Sequence, residues 1–231
     1  WNPTKRNLIM KTLNIFTTLL VALLFSAQAS AIQISSAGDS WTVDWFVDSS
    51  ITAGLSQDLS ATSSWLVSSY SSTQIILDVT ITNTTLLTGG LTNADITSFG
   101  FGTDNNAKAS LLSAGSTFTK VGAGSGPQQT YPGGYKGIDV CIFFQNCSGG
   151  SAPSGLRAGE TDSLQLLLTG NFSPITELLY FPAKFQTNQG SYEPGGCVNC
   201  GGSAPEPSIL ALLGIGLALI GFAHQRKNRR A

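Results

Sequence analysis

Between residues 41 and 47 the side chains change sides at every step. Trp41, Val43, Trp45 and Val47 fall on one side and Thr42, Asp44 and Phe46 on the other. Only a β-strand, with its period of two, gathers those four apolar residues on one surface. The run TQIILDVTIT at 73–82 repeats the pattern, with Ile75, Leu77, Val79 and Ile81 set against Asp78, Thr80 and Thr82. Residues 96–101, 138–144, 164–169 and 178–185 are further predicted strands, rich in β-branched, aromatic or leucine residues, 164–169 showing the pattern least clearly. Turn formers separate them, among them Thr88-Gly89-Gly90, Asp104-Asn105-Asn106 and the glycine-rich stretch 122–127. No long amphipathic helix competes, and no repeat of fixed period points to a solenoid or propeller. Short strands with such turns predict an all-β fold, an antiparallel β-sandwich of which a jelly roll is one form.

The two ends of the chain distort its composition. Of twelve Lys and Arg, three (Lys5, Arg6, Lys11) precede residue 32 and four (Arg226, Lys227, Arg229, Arg230) end the chain, so 32–204 keeps five. Twelve of the thirteen Asp and Glu lie in that same stretch, which therefore carries a net charge of minus seven. A body this acidic has no electrostatic affinity for nucleic acid or an anionic membrane surface.

The one histidine is His224, near the C-terminus, so the body has none. That excludes Ser-His-Asp and Cys-His nucleophile arrangements and a His-ligated catalytic zinc. Carboxylate pairs remain: Asp44 with Asp48, or Glu160 with Asp162, are the residue types of a glycosidase acid and base. Solvated strand-edge carboxylates account for them more simply. The glycines at 122–126 lack the lysine and spacing of a phosphate-binding loop. The expectation is a chain with no catalytic residues, no cofactor and no metal site.

Met10 and Lys11 lead into an apolar run at 13–25 and then into Ser26-Ala27-Gln28-Ala29-Ser30-Ala31. This order is that of a secretory signal peptide, with Ala29 and Ala31 as the small residues at the cleavage site and Ile32 as the mature start. Residues 1–9 read as leader upstream of the true start, since Met10 is the one methionine. Export makes signal peptidase a partner and predicts oxidised cysteines. Cys141, Cys147, Cys197 and Cys200 allow three pairings, and local pairing within each couple is preferred over crossed pairing that would tie the C-terminal segment to the domain. A redox or zinc role for Cys197-Val198-Asn199-Cys200 suits the sequence less, because glycines flank it where a helix would be needed to lower a thiol pKa.

At the other end Pro205, Glu206 and Pro207 precede an uncharged run at 209–223, which the basic residues Arg226, Lys227, Arg229 and Arg230 follow. The prolines keep the segment extended. Fifteen residues of helix reach about 22 Å, short of a bilayer core of about 30 Å. That suits a single C-terminal transmembrane helix serving as a transient inner-membrane anchor, its basic tail held in the cytoplasm. This arrangement resembles the PEP-CTERM sorting signal of Gram-negative bacteria that make extracellular polysaccharide. It differs in having Ala204 for the usual valine and His-Gln-Arg-Lys-Asn-Arg-Arg in place of an Arg-rich end. The resemblance implies an exosortase, a membrane-embedded thiol protease, as the partner that cuts near the motif. It also implies a released protein at the cell surface or in the extracellular matrix.

The expected division is therefore leader and signal peptide over 1–31, a β-sandwich over 32–189, a flexible Gly-rich stalk over 190–204, and the sorting signal over 205–231. Through the tail's resemblance, the function is that of a non-catalytic exported protein associated with extracellular polysaccharide. The alternative is a carbohydrate-binding module, with Trp41, Trp45, Trp65 and Tyr70 as stacking platforms. Trp41 and Trp45 share an apolar strand face and are expected in the core, which leaves Trp65 as the glycan-stacking candidate. A carboxylate glycosidase ranks third.

Overall fold

The longest strand, Leu59–Tyr70, runs through a stretch whose composition is mostly serine, threonine and alanine. It alternates all the same: Leu59, Ala61, Ser63, Trp65 and Val67 are buried, and the residues between them face outward. Ser63 holds an inward position without cost because the Trp65 indole N–H donates to its hydroxyl at 2.7 Å. In this computed structural model the described residues are 31–104, 107–123, 131–135, 137–148, 155–173 and 176–200.

Thirteen strands are described: β1 (Ala31–Ile34), β2 (Ser40–Val47), β3 (Leu59–Tyr70), β4 (Gln74–Asn83), β5 (Ala94–Thr103), β6 (Lys108–Ser113), β7 (Lys120–Ala123), β8 (Val140–Phe143), β9 (Thr161–Thr169), β10 (Thr176–Leu179), β11 (Ala183–Thr187), β12 (Gly190–Tyr192) and β13 (Cys197–Val198). All pairs are antiparallel, as expected. One sheet has the order β13-β2-β3-β4-β9-β6. The other centres on β5, which pairs β8 along one edge and β10 then β11 along the other, with β1 and β12 outside those and β7 outside β8. Because β2, β3 and β4 are consecutive neighbours in one sheet, the order is that of a meander with additions and not of a jelly roll. The transmembrane helix expected at 209–223 lies outside the described residues, among which no helix is long and apolar enough to cross a membrane.

The two sheets share one apolar core, and aromatic rings cross it. Trp41 stacks on Trp65 at 5.7 Å between ring centres, and Trp65 meets Phe99, Phe101 and Phe181 edge-on at 6.2, 5.6 and 5.7 Å. Such pairs add about 0.5–1.5 kcal/mol each to the burial of their area. A smaller cluster of Tyr131, Ile138 and Cys141, with Tyr135, Phe143 and Cys147 packed on it, forms beside β8.

The run predicted as one strand at 178–185 is two. Tyr180 and Phe181 take left-handed φ of 76° and 45°, which breaks the ladder between β10 and β11 while both stay on β5. A left-handed aromatic residue costs about 1–2 kcal/mol. Phe181 is held there by full burial and by its carbonyl, which accepts the Trp45 indole N–H and the Gly196 N–H, each at 2.7 Å.

Candidate functional site

The chain's C-terminal approach is built into the fold, which corrects the expectation of a flexible stalk over 190–204. Residues 190–200 are bonded along their length, and 201–204 lie outside the described residues. β12 pairs with β11, the Ala183 N–H donates to the Pro194 carbonyl at 3.1 Å, and Gly195 bridges to Pro182. Lys184 and Glu193 form an ion pair at 3.1 Å with both side chains mostly buried. The segment then crosses to the other sheet, where Cys197 and Val198 of β13 lie opposite Asp44 and Val43. Gly196 makes the crossing feasible, since an added Cβ would stand 2.3 Å from Val43 and 2.7 Å from the Phe181 carbonyl oxygen.

Asn199 closes the segment. It takes φ of 56°, a conformation asparagine tolerates better than most residues. Its N–H donates to the Thr42 carbonyl at 2.9 Å, and its Oδ1 accepts the Thr42 N–H at 3.0 Å. Cys197 is bonded to Cys200, and Cys141 to Cys147, so both disulfides pair locally. Asn199 was missed from sequence, although an asparagine enclosed by two cysteines and flanking glycines is a turn signal.

Pro205, Glu206 and Pro207, and the basic tail Arg226, Lys227, Arg229 and Arg230, lie outside the described residues, as does Ala29. At the other end Ala31 and Ile32 open β1, paired with Leu179 and Leu178. β1 and β12 flank β10 and β11 on the edge away from β5, and the crossing to β13 begins from that edge. Ala31 and Cys200, the two ends of the described residues, therefore lie toward one flank of the molecule.

Trp65 is not a glycan platform. It is 1 % exposed, in the middle of the core, as Trp41 and Trp45 also are. Tyr70 is half-buried, and its hydroxyl donates to the Phe172 carbonyl.

The acidic residues mostly close turns. Asp162, 4 % exposed, accepts the N–H groups of Ser116, Thr117 and Phe118 at 2.7, 3.0 and 2.8 Å and the Ser116 hydroxyl at 3.0 Å. Burial pushes its carboxyl up, but those N–H groups outweigh burial and hold it below the usual carboxylate range. Glu160 is exposed and accepts the Arg157 N–H at 3.0 Å. Asp48 receives the Ser50 N–H at 2.7 Å, while Asp44 lies half-buried on β2. Asp39 receives the Ser35 and Ser36 N–H groups, Asp58 the N–H and hydroxyl of Ser49, and Asp139 the N–H and hydroxyl of Thr103. Among the described residues no three His, Cys, Asp or Glu converge in a metal-binding group.

No curated protein and no solved structure matches the chain. A family model described as the PEP-CTERM protein-sorting motif matches residues 203–227, from just before Pro205 through the apolar run to Lys227. The match begins three residues beyond the turn closed by the Cys197–Cys200 disulfide, and it shows that the chain carries a PEP-CTERM protein-sorting motif.

Proposed function

We propose that this is a non-catalytic exported protein, anchored in the inner membrane only until an exosortase cuts it near Pro205–Pro207. It then resides at the cell surface in association with extracellular polysaccharide. The observation that carries the reading is the sorting motif at 203–227, which implies exosortase processing and export. Two features of the fold support it. The single flank toward which Ala31 and Cys200 lie lets the signal peptide and the anchor occupy one membrane together. The hold at Cys200 keeps the cleavage region close to a folded domain, so the domain rests near the membrane while the protease works.

Polysaccharide association draws on the resemblance of the tail and on the outer face of the six-stranded sheet. Thr42, Ser64, Thr80 and Ser163 stand in register across four adjacent strands, with Thr80 and Ser163 hydroxyls 2.9 Å apart. At a strand spacing of about 4.8 Å this is a charge-poor row of hydroxyl donors and acceptors, the polarity a hydrated glycan presents in return. A body without histidine and an Asp162 carboxylate engaged in a turn support the non-catalytic part of the reading.

Deleting the exosortase from the host tests the reading. The expected result is protein trapped in the inner membrane at full length, with none recovered by digesting surface polysaccharide. Unchanged surface recovery would sink it, and reducing sugar released from the native polysaccharide by the purified protein would overturn the non-catalytic part.

A further inference from the structure

Among the described residues three buried side-chain atoms lack a hydrogen-bond partner, and two of them, Asn93 Oδ1 and Asp95 Oδ2, sit two positions apart, Asn93 just before β5 and Asp95 in its second position. Ala94 and Ile96 point into the core, so Asp95 takes the opposite face of the strand, with Asn93 entering it from the preceding residue. Asp95 is 2 % exposed and stands opposite Gln186 of β11. Gly155 packs on it so closely that an added Cβ would lie 3.3 Å from the Asp95 Cβ. Leu156 is bonded to Ile96 in both directions at 2.9 Å, which fixes that cover. The turn-closing aspartates described above have N–H or hydroxyl donors, whereas the buried Asp95 Oδ2 has none.

A buried carboxylate oxygen without donors must either take up a proton or meet a cation. Burial pushes the Asp95 carboxyl up, the Arg157 guanidinium opposes this and the Glu160 carboxylate adds to it. Arg157 is exposed and makes no ion pair with Asp95 within 4 Å, so it does not supply the missing partner. Glu160 is turned into the same loop by its bond to the Arg157 N–H.

We propose that Asp95 and Asn93 form a calcium site, with the Asp95 carboxylate and the Asn93 side-chain carbonyl as ligands and Glu160 as the second negative charge. The donors are all oxygen, which suits a hard cation. A carboxylate and an amide two residues apart, without a third carboxylate, suit calcium's loose coordination better than the octahedron magnesium requires. One direct carboxylate gives weak binding, in the range of extracellular modules at about 0.1–1 mM. The cell exterior is where this chain's sorting signal directs it. The site lies at the pole of β5 that also carries Asn83, whose side-chain N–H groups donate to the Ala94 and Leu156 carbonyls at 2.7 and 2.9 Å. Calcium there would lock the 155–160 loop onto β5.

The test is thermal unfolding of the full chain in detergent with 10 mM calcium chloride, 10 mM magnesium chloride, or chelator. Wild type is expected to gain about 3–6 °C in Tm with calcium, and less with magnesium. Asp95→Asn, nearly the same shape, should unfold at or above the wild-type chelator value and lose the calcium gain. Asn93→Ala should reduce the gain, and Arg157→Ala should enlarge it by removing a competing cation. Glu177→Gln, away from the site on β10, should keep it. No calcium shift in wild type, as a buried water beside Asp95 would give, overturns the proposal. So does an equal shift in Asp95→Asn, as general surface screening would give.

Discussion

Asn199 and Thr42 hold each other by two hydrogen bonds, N–H to carbonyl at 2.9 Å and N–H to side-chain oxygen at 3.0 Å. The last described turn of the chain is thereby fastened to β2. Replacing Asn199 by alanine removes the side-chain acceptor and strains the left-handed backbone, at about 2 kcal/mol together. Tm should fall by roughly 4–8 °C. Asn199→Gly, which keeps the backbone freedom, should cost about half as much. Differential scanning calorimetry of both variants checks this, and no loss in either would return 190–200 to a free stalk.

Trp41, Trp45 and Trp65 are all buried. In protein processed after Ala31 these three are the only tryptophans, so fluorescence should be blue-shifted and poorly quenched by acrylamide, with or without polysaccharide. Trp65→Ala should cost about 3–5 kcal/mol, a large part of the stability of a domain this size. Ready quenching that polysaccharide relieves would restore a tryptophan platform.

The Asp162 carboxyl is held below its unfolded value, so it contributes stability at every pH above the ordinary aspartate range. That contribution disappears as pH falls below about 4 and through the depressed folded pKa. Asp162→Asn should cost about 1.5–3 kcal/mol near neutrality and should flatten the acid limb of a Tm-versus-pH curve. A variant curve parallel to wild type down to low pH would show that Asp162 is not the titrating anchor.

Each disulfide closes a short loop, six residues apart for Cys141–Cys147 and three for Cys197–Cys200. Loop entropy assigns about 2 kcal/mol to each. Non-reducing peptide mapping should find both bonds within single local peptides and no free thiol. A crossed peptide linking 141 or 147 to 197 or 200 would contradict the fold of the C-terminal segment.

How much could be read in advance depended on whether the information was local. β2 and β4 were legible because their inward residues are apolar, Asn83 at the end of β4 apart. β3 was not, because its inward Ser63 is satisfied by the Trp65 indole and the Val43 carbonyl, contacts that composition hides. Extending the alternation from Trp65 and Val67 back to Leu59 would have put Trp65 in the core. Residues 190–200 read as linker because glycine and cysteine carry no strand signal. Their pairing comes from Thr42, Val43, Phe181 and Pro182, all distant in sequence. The sorting motif was legible in full, since a linear address is defined by its order of proline, apolar run and basic tail.

The central claim is that the tail is temporary. Intact mass of the protein recovered from the surface of its native host, with the C-terminal peptide sequenced, tests it most directly. The account predicts a chain beginning at Ile32 and ending near Pro205–Pro207, with or without an added mass at that end. A chain intact through Ala231 and confined to the inner membrane would contradict it.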